Sequence, residues 1–184
     1  MPGDLVGDSG QPMGQHHIKL DQFIIDVIDK AMSETFGAFL GVKPLMKKYS
    51  VTDAPIESKY DISGAVVFSQ GQIDATLYLR FKKETLFKLL GPLYGEEMSE
   101  LNSRVVGGIG ELTNAIYGMA KVDLNANGGC YEMALPIVII GYSHPTMMEL
   151  SDVRLLMEYN VAGEDAVVEL ILGKTNHSAL PAAS

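Results

Sequence analysis

What most constrains this 184-residue chain is a recurrence: twice along its length, a long amphipathic helical pattern leads into a set of strand patterns. From Ile18 to Leu40 the apolar residues Leu20, Phe23, Ile24, Val27, Ile28, Ala31 and Met32 recur at three- and four-residue spacing. That spacing predicts a helix with one buried face, ended by Gly41 and Pro44. An edge strand is expected around Met46 to Val51, where Pro55 argues against a central one. Asp61 to Phe68 and Gln72 to Phe81 read as a hairpin across Ser69 to Gly71, with Ile73, Ala75, Leu77 and Leu79 on one face. Lys83 to Leu90 reads as a short helix stopped by Gly91-Pro92.

The second cycle starts with a long helix from Met98 to about Leu124. Strands are expected at Tyr131 to Gly141, Val153 to Asn160 and Ala166 to Leu172, the last two joined by the turn from Val161 to Asp165. A helix stripe and a strand face each need an apolar surface to cover them. The expected fold is therefore α+β, with two related halves contributing to one antiparallel sheet and helices packed against it.

Composition bounds the rest. A hydrophobic content of 47% is enough for one substantial core, expected over residues 18–173 as a single domain. Residues 1–17 and 174–184 are small and polar, and read as disordered tails. The net charge of -9, with basic residues no denser than the pairs Lys47/Lys48 and Lys82/Lys83, argues against nucleic acid as a partner. A single cysteine, Cys130, closes no intramolecular disulfide. The start lacks a secretory pattern and no stretch approaches about 20 apolar residues, so the expectation is a cytoplasmic protein without a membrane anchor. His16, His17 and His144 stand apart from any acidic or thiol cluster, so no metal site of its own is expected. No Gly-x-Ser-x-Gly elbow accompanies the serines. The stretch from Gly141 to Met148 reads as a connection.

The second long helix carries the chemistry. At about 100° per residue from Ile109, the residues Leu101, Val105, Leu112, Ile116, Met119 and Ala120 fall in one apolar arc. Gly107, Glu111, Asn114 and Gly118 fall opposite, facing water. Each helix-interior glycine costs about 1 kcal/mol against alanine, yet Gly107, Gly108, Gly110 and Gly118 surround this acid and amide. Bare glycines let a partner's backbone approach, while two side chains three residues apart project together into it. By itself, however, Glu-x-x-Asn is also an ordinary pair of solvated polar residues, and the glycines also suit close helix packing. The string GGIGELT is no dinucleotide fingerprint, because Thr113 stands where the third glycine belongs.

The longer string GELTNAIYGMAK, Gly110 to Lys121, resembles the signature helix of the CheC, CheX and FliY phosphatases, in which Glu-x-x-Asn precedes a glycine and then Ala-Lys. Here these are Glu111, Asn114, Gly118, Ala120 and Lys121. The phrase YDISGAVVFSQGQIDATLYLRF, Tyr60 to Phe81, the short helix that follows it and Pro136 also fall where that family has counterparts. Two departures are Gly107, where the family usually carries Asp or Ser, and an interval from Asn114 to Pro136 one residue shorter than expected. CheC-like members carry a second Glu-x-x-Asn on the leading helix. At that spacing the first half here has only Asp26 and Asp29, which points to the one-site CheX type.

The resemblance implies a CheC-like fold and hydrolysis of the aspartyl phosphate of a CheY-like response regulator. In that reaction Asn114 orients the attacking water and Glu111 pairs with the regulator's active-site lysine. Gly107, Gly110, Gly118 and Lys121 would then meet the partner. The protein would need no cofactor, Mg2+ being held by the regulator. It further implies a homodimer through sheet edges, for which the apolar Ala166 to Leu172 strand is the candidate. The alternative is a non-catalytic module that binds a response regulator on the same fold, as in the FliM middle domain.

Overall fold

The computed structural model describes residues 22–52, 59–70, 73–132, 134–141 and 153–174. The elements in chain order are α1 (Gln22–Leu40), β1 (Leu45–Thr52), β2 (Ile62–Gln70), β3 (Ile73–Phe81), α2 (Lys83–Tyr94), α3 (Ser103–Ala126), β4 (Ile137–Ile140), β5 (Val153–Val161) and β6 (Glu164–Lys174). The six strands form one sheet in the order β1-β5-β6-β3-β2-β4, and every neighbouring pair is antiparallel.

That order contains a pseudo-twofold axis between β3 and β6. About it α1 corresponds to α3, β1 to β4, the β2–β3 hairpin to the β5–β6 hairpin, and β2 and β5 are both nine residues long. Each half thus runs helix, strand, hairpin, as the recurrence in the sequence predicts. The strand that follows each helix pairs with the other half's hairpin: β1 lies on β5 and β4 lies on β2.

Helices α1 and α3 lie antiparallel, with Lys30 Nζ 2.8 Å from Asp123 Oδ2 and Thr35 Oγ1 donating to Met119 Sδ at 3.4 Å. The hydrogen bond from Lys30 to Asp123 holds the ammonium above its usual pKa. Between these helices and the sheet sits one core built on Ile28, Met32, Phe36, Leu77, Leu79, Ile109, Leu112, Ile116, Leu155 and Met157. The other sheet face buries an ionic group. Glu169 of β6 pairs with Arg80 Nε of β3 at 2.6 Å and Arg154 Nε of β5 at 2.7 Å, and Arg80 Nη1 donates to Ser63 Oγ at 3.2 Å.

Several boundaries differ from the expected ones for identifiable reasons. The first helix starts, among the described residues, at Gln22. Helix α2 runs through Gly91-Pro92 to Tyr94 and is closed by Gly95, at φ 67°, whose N–H donates to the Gly91 carbonyl. Helix α3 starts after Asn102, whose side chain accepts from the N–H groups of Arg104 and Val105 at 3.0 and 3.1 Å. Met98 enters the core from the segment before the helix, and Leu101 is exposed. The expected strand from Tyr131 shrinks to Ile137–Ile140. Asn125 takes both backbone groups of Tyr131, and Pro136 brings no donor to a ladder. The turn between β5 and β6 narrows to Ala162-Gly163, with φ 53° and 91°.

The strand assigned to a dimer edge is not an edge. β6 lies between β5 and β3, hydrogen-bonded on both sides, and β1 and β4 are the outer strands. An apolar run marks burial on both faces as readily as exposure at an edge, which is what Ala166 to Leu172 shows. Residues 142–148 of the expected connection, Pro55, the predicted N-terminal tail and residues 175–184 lie outside the described residues, whereas Lys174, expected in the C-terminal tail, closes β6 opposite Ile73.

Candidate functional site

Helix α3 is held against the sheet by an unusually close contact. A Cβ on Gly64 of β2 would stand 1.9 Å from Thr113 Oγ1 and 2.8 Å from Thr113 Cβ. Glycine is what lets the helix settle there, and Thr113 Oγ1 donates back to the Ile109 carbonyl at 2.7 Å. One turn on, Tyr117 is buried, donates its hydroxyl to the Glu132 carbonyl at 2.6 Å, and stacks on Phe68 with centroids 4.8 Å apart. These contacts fix both height and rotation of the segment that presents Glu111 and Asn114.

The expected apolar arc is buried at Val105, Ile109, Leu112, Ile116 and Ala120. The buried surface is wider than that arc, since Gly108, Gly110, Thr113 and Tyr117 are buried too. Two of the glycines serve this packing. A Cβ on Gly108 would meet Leu90 Cδ1 of α2 at 2.7 Å, and one on Gly110 would touch Val138 Cγ2 of β4 at 3.6 Å. Gly110 therefore turns inward toward β4, against the expectation that it meets a partner. That expectation came with the resemblance, and residue spacing does not show that β4, at the edge of the sheet, reaches alongside Gly110.

The remaining face is open. Gly107 and Glu111 are exposed, and Asn114, Gly118 and Lys121 are half-buried along the same side. Among the described residues a Cβ on Gly107 or Gly118 would meet nothing within 4 Å, so neither glycine is required by their packing. Among the described residues neither Glu111 nor Asn114 is engaged in a hydrogen bond or ion pair, so both side chains are available to a partner. Three residues apart on a helix, they lie about 5–6 Å apart at Cβ. An acceptor carboxylate and a side chain that both donates and accepts can thus enter the same pocket of a docked protein.

Sequence reasoning did not single out Gly64 or Arg104. A glycine inside a strand pattern is a signal for close backbone approach, and Gly64 is such a case. Arg104 gave no signal beyond its wheel position, because its partners Tyr94 and Glu96 come from the end of α2.

Comparison with known proteins places these features. The family model for the chemotaxis phosphatase CheX matches residues 62–158, more than half of the chain and all of α3. The CheY-P phosphatase CheX of Thermotoga maritima is 28% identical over 123 residues, 66% of this chain and 78% of that protein. The fold is shared with a CheC-like superfamily protein from Shewanella sp. PV-4, at TM-score 0.76 and 21% identity over 84% of this chain and 99% of that one. It is shared as well with the CheX-CheY-BeF3-Mg2+ complex from Borrelia burgdorferi, at TM-score 0.58 and 17% identity over 83% and 98%. With a family match that spans the glycine-bordered helix, and a CheC-like sheet beneath it, the chain belongs to the CheX family of chemotaxis phosphatases.

Proposed function

We propose that the chain hydrolyses the aspartyl phosphate of a CheY-type response regulator, with Asn114 and Glu111 as the two groups it brings to the reaction. The observation that carries this reading is the placement of both side chains, unengaged, on the one face of α3 that the fold leaves open. Water attacks phosphorus in line with the departing aspartate oxygen, the P–O bond to the carboxylate breaks, and inorganic phosphate and the free carboxylate leave. Most of the gain in such a step is positioning. The Asn114 amide accepts from the water with its oxygen and donates with its nitrogen, orienting it without a shifted pKa. Glu111 pairs with the regulator's active-site lysine and sets the register of entry. The divalent cation belongs to the regulator, which supplies the carboxylates to hold it.

Gly107, Gly118 and Lys121 line the same face and meet the regulator's backbone around the entering pair. The expected homodimer contact falls to the outer strands: β4 exposes Ile137 and Ile140, and β1 exposes Leu45, Tyr49 and Val51 beside Lys47 and Lys48.

Asn114→Ala is expected to leave binding of a regulator largely intact and to slow dephosphorylation by a factor on the order of 10². Phosphate loss from a receiver loaded with acetyl phosphate and Mg2+, followed with wild type and variant, reads this directly. Equal rates from the two proteins remove the assignment of Asn114. Binding by wild type without any acceleration identifies a non-catalytic module instead.

A further inference from the structure

Besides Glu111 and Lys121, the exposed face of α3 has a charged group at its N-terminal end. Arg104 is seven residues, about 10 Å, before Glu111, and on a wheel it lies within about 20° of it. Its side chain is half-exposed but not loose. Nη1 lies 2.7 Å from Glu96 Oε1, and the guanidinium sits 5.8 Å from the centroid of the Tyr94 ring. The Tyr94 hydroxyl in turn donates to the Arg104 carbonyl at 3.4 Å. Both partners come from the turn that ends α2 at Gly95, so the close of one helix fixes the cation at the start of the next.

We propose that Arg104 is a specificity-determining contact, which engages an acidic side chain on the rim of the regulator's phosphorylation pocket by exchanging it for Glu96. This rests on the phosphatase reading above. A pocket that holds an aspartyl phosphate and a divalent cation is built from carboxylates, and this protein approaches it with a net charge of -9. The segment entering α3 adds to the repulsion, since Glu96, Glu97 and Glu100 are all exposed. Arg104 is the cation at that end of the face, and Lys121, seven residues beyond Asn114, stands at the other end. A guanidinium has five N–H donors in a planar fork, so one bond to Glu96 leaves others directed outward. At about 10 Å from Glu111, Arg104 reaches the rim and not the phosphoryl group, which makes it a positioning residue. Glu96 is then a competitor, holding the fork in place in the free protein while lowering its attraction for the regulator.

Steady-state dephosphorylation of acetyl-phosphate-loaded CheY-type receivers, the Borrelia burgdorferi one among them, tests this at low ionic strength. Arg104→Ala should raise KM about tenfold with kcat within about twofold, and Arg104→Lys should fall between it and wild type. Glu96→Gln should act in the opposite direction, lowering KM about threefold, and both effects should shrink as salt is added. A pair that merely straps α2 to α3 gives the two substitutions the same sign, and that result, or an unchanged KM for Arg104→Ala, overturns the proposal while leaving the phosphatase reading intact. No acceleration by wild type on any receiver defeats that reading, and this one with it.

Discussion

At the scale of single residues, the open face of α3 depends on a contact on the other side of the helix. Gly64 has no room for a methyl group against Thr113, and Thr113 is the immediate neighbour of Asn114. Gly64→Ala should cost about 1–3 kcal/mol of stability, the usual scale of overpacking, measured by denaturant titration. It should also lower phosphatase activity at temperatures where the variant is still folded, because α3 must lift or turn to admit the methyl. Thr113→Ala on that background should restore only part of the loss, since the 2.8 Å approach to Thr113 Cβ remains. Full recovery would mean that the hydroxyl alone makes the contact. The placement of Glu111 and Asn114 on the open side was legible because the face a helical residue takes follows from spacing, whereas their selection as a pair came from the resemblance of Gly110 to Lys121. Gly110, expected at the partner face from the resemblance, is buried instead, because spacing along one helix does not show which strand lies beside it. Val138, 28 positions on, fills the space beside Gly110.

At the scale of elements, helix ends and turns decide what the site looks like. Helix α2 continues past Pro92 and stops at Gly95, and that extra turn delivers Tyr94 and Glu96 to Arg104. The sequence pattern stops the helix at Gly91-Pro92, but the left-handed conformation that ends it belongs to Gly95, three residues beyond that proline. Helix α2 is also tied to the β5–β6 turn, where Lys88 Nζ lies 2.5 Å from Glu164 Oε1 and Thr85 Oγ1 donates to Glu164 Oε2 at 3.3 Å. The hydrogen bond from Lys88 holds the Glu164 carboxyl below its usual pKa. A depressed carboxylate stabilises the fold above its unfolded-state pKa and loses that contribution as pH falls through the folded one. Glu164→Gln should therefore lower the melting temperature slightly at pH 7, and the difference from wild type should vanish in acid once the depressed carboxyl is protonated in the folded state. A gap that persists in acid assigns the effect to packing. The hairpins were readable from alternation alone, whereas the shortened β4 was not, because Asn125 and Tyr117 draw the chain before it onto α3 by contacts that leave no periodic trace.

At the scale of the whole molecule, the two halves are joined from both faces of the sheet. On one, α1 packs along α3. On the other, Glu169 bridges Arg80 and Arg154, linking β3 of the first half to β5 and β6 of the second. Removing the carboxylate would leave two buried guanidinium groups without it, so Glu169→Ala should destabilise by about 3–5 kcal/mol. A urea titration that yields less than a third of that free-energy change would assign the group a lesser part in stability. The repeated helix-strand-hairpin order was visible in the sequence, but the crossing of the halves was not, because strand patterns carry no information on which strand lies beside which. That crossing limits what a part of the chain can do alone. Cut between α2 and α3, each piece would lose the hairpin on which its own lone strand lies, so neither is an autonomous small domain. The two fragments are instead natural complements, whose joint folding would rebuild the sheet and, with it, the face that presents Glu111 and Asn114.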